Sequence, residues 1–267
     1  MTDPSQAVVV SMVRLTPSMV RVRLAGRRGW FATTGVPDEY VRLHLPTPRT
    51  YTVRQVGDDW IDVDFVLHGH GAAARWAANA TPGETIGVSE PGTIYDRTDE
   101  FRRQLLLADA TGLPAVARIC EQTPSDVSTT VVVEVPLAAD SQELSSAGPL
   151  QVRWLPGTGN GIAPSRLGAE LRRALASESR PDETYVWAAG EAREIRAIRR
   201  SLRHEHGRTP SSYKVLGYWT DRAEEWRERY LALPEQTRAL IDELYDSDAD
   251  IEEVTDRVDA LYDAAGL

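Results

Sequence analysis

The pattern of apolar residues changes once along the chain, and this change predicts two domains of different architecture. Up to about Gly92, apolar residues fall in short β-prone runs interrupted by Pro and Gly, which is typical of a small antiparallel barrel. From Gln104 onward, strand-like runs alternate with helical segments, as in an open parallel sheet with helices on both faces. A chain of 267 residues is long enough for two domains of ordinary size.

The first domain is predicted to span residues 1–99 and to contain short strands and one helix. The strands are predicted over Val8–Val13, Val20–Leu24, Tyr40–Leu45, Arg49–Arg54, Trp60–Leu67 and Thr85–Val88. The helix is predicted over Ala72–Ala80. We expect the boundary near Asp96–Arg102, where the pattern changes.

The second domain is predicted to span residues 100–229. Its strands are predicted over Leu105–Ala108, Thr129–Val135, Val152–Leu155, Tyr185–Ala188 and Tyr213–Tyr218. Its helices are predicted over Leu113–Glu121, Arg166–Ser177 and Ala192–His206. The run Thr129–Val135 is almost continuously β-branched, which favours a parallel strand that is covered on both faces.

The last segment, residues 230–267, is predicted to be an acidic helical extension. It holds eleven acidic residues against two arginines, so it carries −9 of the net charge of −10. Apolar residues recur at helical spacing in two runs, Leu240, Ile241, Leu244 and Tyr245, then Ile251, Val254, Val258 and Leu261. Two helices are therefore predicted. Their apolar faces leave three roles open: packing on the second domain, self-association, or docking of a partner.

Composition and charge exclude several classes of function. Without the extension the net charge is about −1, so no broad basic surface for nucleic acid is expected. No apolar run approaches the roughly 20 residues of a membrane-spanning helix, and residues 1–6 lack the features of a signal peptide. We therefore expect a cytoplasmic protein that does not insert into membranes. Cys120 is the only cysteine and is predicted to be buried, and no metal-ligand spacing is found.

Two motifs in the first domain carry the chemistry. Arg49-Thr50-Tyr51-Thr52-Val53-Arg54 alternates cation, hydroxyl and ring on a strand, so Arg49, Tyr51 and Val53 should share one face. A ring can stack on a flavin, and a guanidinium can meet a pyrophosphate. The second motif runs from Asp64 through His68-Gly69-His70-Gly71 into Ala72-Ala73-Ala74. A strand that passes through small residues into a helix can direct backbone N–H groups towards phosphate.

These motifs and two later ones resemble the siderophore-interacting proteins, the flavin-dependent ferric-siderophore reductases within the ferredoxin-reductase-like flavoenzymes. The four matching segments are Arg49–Arg54, Asp64–Ala77, Trp187–Glu191 and Gly217–Trp219. They occur in the family's order and cover roughly residues 8–220. The resemblance implies an N-terminal flavin-binding barrel, a C-terminal NAD(P)H-binding domain, FAD as cofactor, NADH or NADPH as electron donor, and a ferric siderophore as substrate.

The resemblance also implies roles for individual residues. The flavin would be held by Arg49, Thr50, Tyr51, Thr52 and Val66, and its pyrophosphate by His68, Gly69, Gly71, Ala72 and Ala73. The nicotinamide nucleotide would approach Asp109, Thr111, Gly190 and Glu191, and the flavin or substrate would lie near Lys214, Tyr218 and Trp219. Thr52, Tyr51 and Lys214 are the predicted catalytic residues. Because ferric siderophores are often anionic, Arg54, Lys214 and Arg222 are predicted to form a basic substrate mouth.

The chain also departs from the family pattern. His70 stands where an acid is usual, Ala72–Ala74 lack the usual proline, and Thr220-Asp221-Arg222 replace Arg and Gly after Gly-Tyr-Trp. The glycine-rich run Pro156–Pro164 follows the third strand of the second domain instead of the first, so it is either a flexible loop or a nucleotide contact. Two other functions stay open, a general NAD(P)H:flavin or quinone oxidoreductase and a non-catalytic siderophore-binding protein.

Overall fold

The computed structural model describes residues 4–45, 47–67, 71–177, 180 and 183–267, and its first half is a closed antiparallel barrel. The barrel strands are β1 (Ser5–Thr16), β2 (Met19–Ala25), β3 (Tyr40–Leu43), β4 (Arg49–Val56), β5 (Trp60–Val66) and β6 (Thr85–Val88), closed in the order β1-β2-β5-β4-β3-β6. Helix α1 (Ala72–Asn79) lies between β5 and β6. The predicted barrel is confirmed.

Buried and outward-facing side chains alternate along the barrel strands, so one face of each strand forms the interior of the closed barrel. Val20, Val22 and Leu24 of β2 point into the same buried cluster as Ile61, Val63 and Phe65 of β5. The residues between them point outward and pair across the strands, because Arg21 binds Asp64 at 2.7 Å and Arg23 binds Asp62 at 2.8 Å. These two carboxylates therefore form ion pairs on the outer face of the barrel and do not line the cleft described below.

The second half is a five-stranded parallel sheet covered on both faces. Its strands are β7 (Arg103–Ala108), β8 (Ser128–Val135), β9 (Leu150–Pro156), β10 (Thr184–Glu191) and β11 (Tyr213–Trp219), in the order β11-β10-β7-β8-β9. Helix α2 (Leu113–Glu121) packs with Leu106, Val131 and Trp187 on one face. Helices α3 (Leu167–Ser177) and α4 (Ala192–Arg200) pack with Leu107, Val132 and Val186 on the other. The predicted open sheet is confirmed, and the proposed boundary after residue 99 falls between β6 and β7.

Two helical segments differ from the sequence prediction. The predicted helix Ala192–His206 ends as α4 at Arg200 and continues as one π-helical turn over Ser201–Glu205. A helix that was not predicted, α5 (Ala223–Leu231), follows β11. Helix α5 was missed because none of its residues is fully buried and its only large apolar side chains before Leu231 are Trp226 and Tyr230, which is too short a pattern to mark a helix.

The acidic extension forms the two predicted helices, α6 (Glu235–Tyr245) and α7 (Ile251–Ala264). Ile241 and Leu244 of α6 and Val254 and Val258 of α7 are buried in one cluster. Helix α7 also contacts α4. Part of the two predicted apolar faces therefore packs within the chain itself, whereas Leu240, Tyr245 and Ile251 are exposed. In the described part of the chain, no helix is long and apolar enough to cross a membrane.

A buried arginine fastens α7 to the edge of the sheet. Arg199 of α4 is 3% exposed; it donates to Glu252 at 3.0 Å, to Asp259, and to the Val215 carbonyl at 2.7 Å. Glu252 accepts the Val215 N–H at 2.9 Å. Because β11 is an edge strand, both Val215 groups would otherwise be open to pairing with another strand. The extension thus covers the open edge of the sheet.

Replacing Glu252 tests this arrangement. Glu252→Ala leaves Arg199 with one buried carboxylate fewer and the Val215 N–H without its acceptor, so we expect a loss of about 3–5 kcal/mol in the free energy of unfolding. Urea denaturation followed by circular dichroism measures it. The matched control is Glu253→Ala, since Glu253 is exposed on the same helix and should change stability by less than about 0.5 kcal/mol. Equal effects of the two variants would contradict the assignment.

Candidate functional site

A cleft of about 240 Å³ lies between the barrel and the sheet. The barrel contributes Ser18, Val66 and Leu67, and the second half contributes Thr111, Pro136, Asn160, Ile162 and Trp219. These last five residues follow or end β7, β8, β9 and β11, so the cleft lies at the carboxyl ends of the strands. Ligands of open parallel sheets bind at this edge.

An ion pair and a hydrogen bond fix α2 to β4, the strand that bears the predicted flavin residues, and a second ion pair joins α2 to Glu39 before β3. Arg118 is 6% exposed and donates to Glu39 at 3.1 Å and to the Val53 carbonyl at 2.7 Å. Glu39 is fully buried. One turn later on α2, Glu121 accepts two hydrogen bonds from Arg54. The position of β4 relative to the sheet is therefore set by paired charges at the domain interface.

On β4 the predicted flavin residues fall into two environments. The Tyr51 ring packs against the barrel cluster, 4.4 Å from Phe65, whose ring lies 5.4 Å from Trp76 of α1. Burial raises the pKa of Tyr51 to about 12. Thr52 is 5% exposed, and its hydroxyl has no hydrogen-bond partner among the described residues. Arg49 and Thr50 are exposed.

The predicted phosphate loop is described only in part. Gly71 is the N-cap of α1, and no side chain caps this end. Ala72 begins the helix, and Ala73 is buried against the barrel core. His68 and Gly69 lie outside the described residues. The described part places the start of α1 next to the end of β5, as the motif predicts.

Asp109 connects three strands beside the cleft. It follows β7 and accepts hydrogen bonds from the Thr111 N–H at 2.8 Å, the Thr111 hydroxyl at 2.6 Å and the Trp219 indole at 2.6 Å. A Cβ on Gly190 would lie 2.8 Å from the Asp109 carboxylate, so only glycine fits without a shift at the end of β10. Burial raises the pKa of Asp109. The predicted residues Asp109, Thr111, Gly190 and Trp219 are thus brought together.

Glu191 caps the helix that follows β10. It accepts the Arg193 N–H at 2.7 Å and the Glu194 N–H at 3.1 Å. Its second oxygen accepts the Asp221 N–H at 3.1 Å, which ties the turn after β11 to the same point. Tyr218 lies in this region, with its ring 6.4 Å from Trp187. Burial raises the pKa of Tyr218, and Asp38 adds to the effect.

The glycine-rich loop is built into the cleft wall. Gly157, Gly159, Asn160 and Gly161 all have positive φ, and Asn160 accepts the Ala110 N–H at 3.0 Å. Buried Glu134 holds the far end of the loop through the Arg166 N–H at 2.5 Å and the Ser165 hydroxyl at 3.0 Å. A Cβ on Gly159 would lie 2.0 Å from Glu134. The loop therefore has a defined shape, and its contact with a nucleotide stays a prediction.

Each of the three cations of the predicted basic mouth has a carboxylate partner. Lys214 is 5% exposed, lies five residues before Trp219 on β11, and has its ammonium 3.2 Å from Asp96 and 3.7 Å from Asp250. Arg54 is paired with Glu121. Arg222 is exposed and lies 3.3 Å from Glu225. The charge of each cation is thus partly balanced within the chain, and their joint role as a basic substrate mouth stays a prediction.

Sequence reasoning missed the interface residues. Glu39, Arg118 and Asp38 are all buried, yet no motif marks them. The sequence contains one sign of this interface, because Arg118 places a charged residue on the predicted buried helix face around Cys120. Cys120 is buried as predicted, and burial raises the pKa of its thiol to about 12. Among the residues with described positions, no group of three His, Cys, Asp or Glu side chains is arranged to hold a metal ion.

Two protein-family models match this chain, one in the barrel and one in the second half. The family model "Siderophore-interacting protein" matches residues 101–222, and "Siderophore-interacting FAD-binding domain" matches residues 44–95. The ferric vibriobactin reductase ViuB of Vibrio cholerae is 29% identical over 184 residues, and the match covers 66% of this chain and 65% of that protein. The chain thus spans slightly under two thirds of that curated relative.

Solved structures show the same fold. A siderophore utilization protein from T. fusca has a TM-score of 0.67 at 35% identity, covering 80% of this chain and 92% of that chain. The ferredoxin reductase of carbazole 1,9a-dioxygenase has a TM-score of 0.65 at 17% identity. The match covers 82% of this chain and 70% of that chain. The second likeness concerns the fold alone, which is ferredoxin-reductase-like.

A double-mutant cycle tests the interface pair. Arg118→Met leaves Glu39 as an uncompensated buried charge, and we expect a loss of about 3–5 kcal/mol in the free energy of unfolding. Adding Glu39→Gln should recover at least about 1 kcal/mol, because it removes that charge. Chemical denaturation of the four proteins in the cycle gives the coupling energy. Strictly additive losses would show that the two side chains do not interact.

Proposed function

Because the chain belongs to the siderophore-interacting protein family, we propose that it is an FAD-dependent reductase that uses NADH or NADPH to reduce iron(III) held by a siderophore. The observation that carries this proposal is the cleft of uncharged side chains at the carboxyl edge of the sheet, which Trp219 of β11 lines. The preceding residue, Tyr218, lies beside the buried Thr52 hydroxyl of the barrel, which forms no hydrogen bond of ordinary length among the described residues. A buried polar group with an incomplete set of hydrogen bonds is costly, and a bound cofactor would supply a partner.

The residues present fit FAD. The cleft is lined by uncharged side chains, including Val66, Leu67 and Trp219, which suits a flat and mostly apolar ring. FAD would be held by Tyr51 and Thr52 on β4, by the exposed guanidinium of Arg49, and by the uncapped start of α1. When bound, FAD supplies hydride acceptance from the nucleotide and single-electron donation to iron.

The chain's own residues would bind the cofactor, orient the groups around it and shield the cleft from water. Asp109 orients the Trp219 indole, so that this ring closes one side of the cleft and excludes water. Arg118 fixes the strand that presents Thr52, through the Val53 carbonyl. The Thr52 hydroxyl is the group that would hydrogen-bond to the cofactor, because it forms no hydrogen bond of ordinary length among the described residues and has the Tyr218 hydroxyl as its polar neighbour.

Iron release needs no protein ligand. Hard oxygen ligands hold iron(III) more strongly than iron(II), so reduction weakens the siderophore complex. The proposed reaction takes place in the cytoplasm, where reduced nicotinamide nucleotides are available. One nucleotide gives two electrons and therefore reduces two ferric complexes, with release of one proton.

Removing the Thr52 hydroxyl should have opposite effects on the apoprotein and on cofactor binding. Thr52→Val replaces an unpartnered buried hydroxyl by a methyl group, so apoprotein stability should be unchanged or rise. FAD affinity should fall about 10-fold, because one hydrogen bond of about 1 kcal/mol or more is lost. Thermal melts of the apoprotein measure its stability, and flavin-fluorescence titrations measure FAD affinity. Thr85→Val is the matched control, because Thr85 is exposed on strand β6 of the same barrel and should leave FAD affinity within about twofold.

An anaerobic absorbance experiment tests the proposed function as a whole. Purified protein reconstituted with FAD is mixed with NADH or NADPH, then with a ferric siderophore and a ferrous chelator. We expect the flavin bands to bleach with nucleotide and to return as the ferrous chelate forms. Absence of flavin binding would point to a non-catalytic siderophore-binding protein. Bleaching without iron turnover would point to a flavin or quinone reductase.

A further inference from the structure

The C-terminal helices have an apolar core of their own. Its buried members are Ile241 and Leu244 of α6 and Val254 and Val258 of α7, and the residues packed against them are Tyr230, Leu233, Leu261 and Tyr262. Among the residues that the structure describes, none of these side chains belongs to the apolar clusters of the sheet. Helices α5, α6 and α7 therefore form a helical module, residues 223–264, whose buried apolar side chains pack against one another.

The helical module faces the sheet with a stripe of acidic residues. These residues recur every three or four positions along α7, so they lie on one side of the helix. The acidic stripe consists of Glu252, Asp256, Asp259 and Asp263. Opposite it lies a basic stripe on α4 and the π-helical turn that follows, made of Arg199, Arg200, Arg203 and His204. Helix α7 thus turns its apolar side to α6 and its charged side to α4.

Every residue of the acidic stripe has a partner in the basic stripe. The contacts are Arg199 with Glu252 at 3.0 Å and with Asp259, Arg203 and His204 with Asp256 at 3.1 Å each, and Arg200 with Asp263. At the start of α7, Asp250 lies 3.7 Å from Lys214. The paired side chains range from the buried Arg199 to the half-exposed Arg200, so salt reaches the outer pairs. Charged groups therefore hold the helical module to the sheet, whereas apolar packing holds the module together.

The part of the chain that precedes the helical module has separate cores. The barrel and both faces of the sheet are packed by their own apolar clusters, and the family match ends at residue 222, directly before α5. The connection is the short turn Thr220-Asp221-Arg222. Arg222 has a φ of 48°, a left-handed conformation that is uncommon for residues other than glycine. The module can thus separate at this turn while every core stays packed.

We propose that the helical module is a reversibly docked strap: α5, α6 and α7 leave α4 and β11 as one folded unit, and ionic strength sets the docked fraction. Salt weakens the attraction between the two stripes, whereas it leaves the apolar contacts inside the module intact. Undocking uncovers the basic stripe and the outward backbone groups of Val215. A cationic surface and an open strand edge are therefore exposed together. The docking equilibrium does not depend on the proposed reductase activity.

Hydrogen exchange of the whole chain, measured by NMR, tests the proposal at three amides. The Val215 N–H is bound by Glu252, so it exchanges when the helical module undocks. The Val258 N–H in α7 exchanges when the module unfolds, and the Val132 N–H in β8 exchanges when the sheet unfolds. We expect the lowest protection factor at Val215. Between about 0.05 M and about 0.5 M salt it should fall at least about fivefold, while the other two protection factors stay within about twofold.

Neutralising two acidic residues gives the variant, and neutralising two others gives its matched control. Asp256→Asn with Asp263→Asn removes the outer pairs, so the protection factor of Val215 should fall about fourfold, since each partly exposed pair contributes roughly a factor of two. Asp242→Asn with Glu243→Gln makes the same change in net charge on the exposed side of α6. This control should leave the protection factor of Val215 within about 1.5-fold.

Three results would overturn the proposal. If Val258 loses its protection together with Val215, α7 unfolds by itself and does not undock as part of a folded unit. If Val132 follows Val215, the helical module separates only when the sheet unfolds. If salt leaves Val215 unchanged, or if the variant and the control have equal effects, the charged stripes do not set the docked fraction.

Discussion

The buried pair between Arg118 and Glu39 is the interaction on which the rest of the site depends. The barrel and the sheet each have their own apolar cluster, so each half accounts for its own fold. Their mutual position depends on what crosses the interface, and Arg118 crosses it to reach both Glu39 and the Val53 carbonyl. A buried guanidinium tolerates few alternative arrangements because each donor needs an acceptor. The position of β4 relative to helix α2 is therefore fixed.

Hydrogen bonds to two carboxylates order the carboxyl edge of the sheet. Asp109 and Glu191 are each bound by several N–H or O–H groups of the chain. Asp109 joins the turn after β7 to Trp219 at the end of β11, and Glu191 joins the start of α4 to the turn after β11. The turns that carry the predicted nucleotide residues are therefore fixed by contacts within the chain.

Much of the fold follows from local sequence pattern, and the site follows only in part. Alternation on β2 and β5 and the apolar run of β8 predicted the barrel and the sheet, because those strands bury one face or both. Asp109, Gly190 and Trp219 were predicted through resemblance and do meet beside the cleft. The basic mouth was predicted from the resemblance and from the anionic charge of many ferric siderophores. Whether a cation is free depends on a partner distant in sequence, such as Glu121 for Arg54 or Asp250 for Lys214, and no local pattern contains that information.

The covered edge at β11 determines where this sheet can gain new structure. Parallel sheets of this kind enlarge by adding strands at their edges, and Val215 already has both of its outward backbone groups bound by Glu252 and Arg199. Addition on that side would require removal of α7. The opposite edge is β9, which carries exposed positions such as Gln151 and Val152. Insertions, fused strands and engineered extensions should therefore be accepted at β9, and the evolutionary growth of this domain is directed to one side.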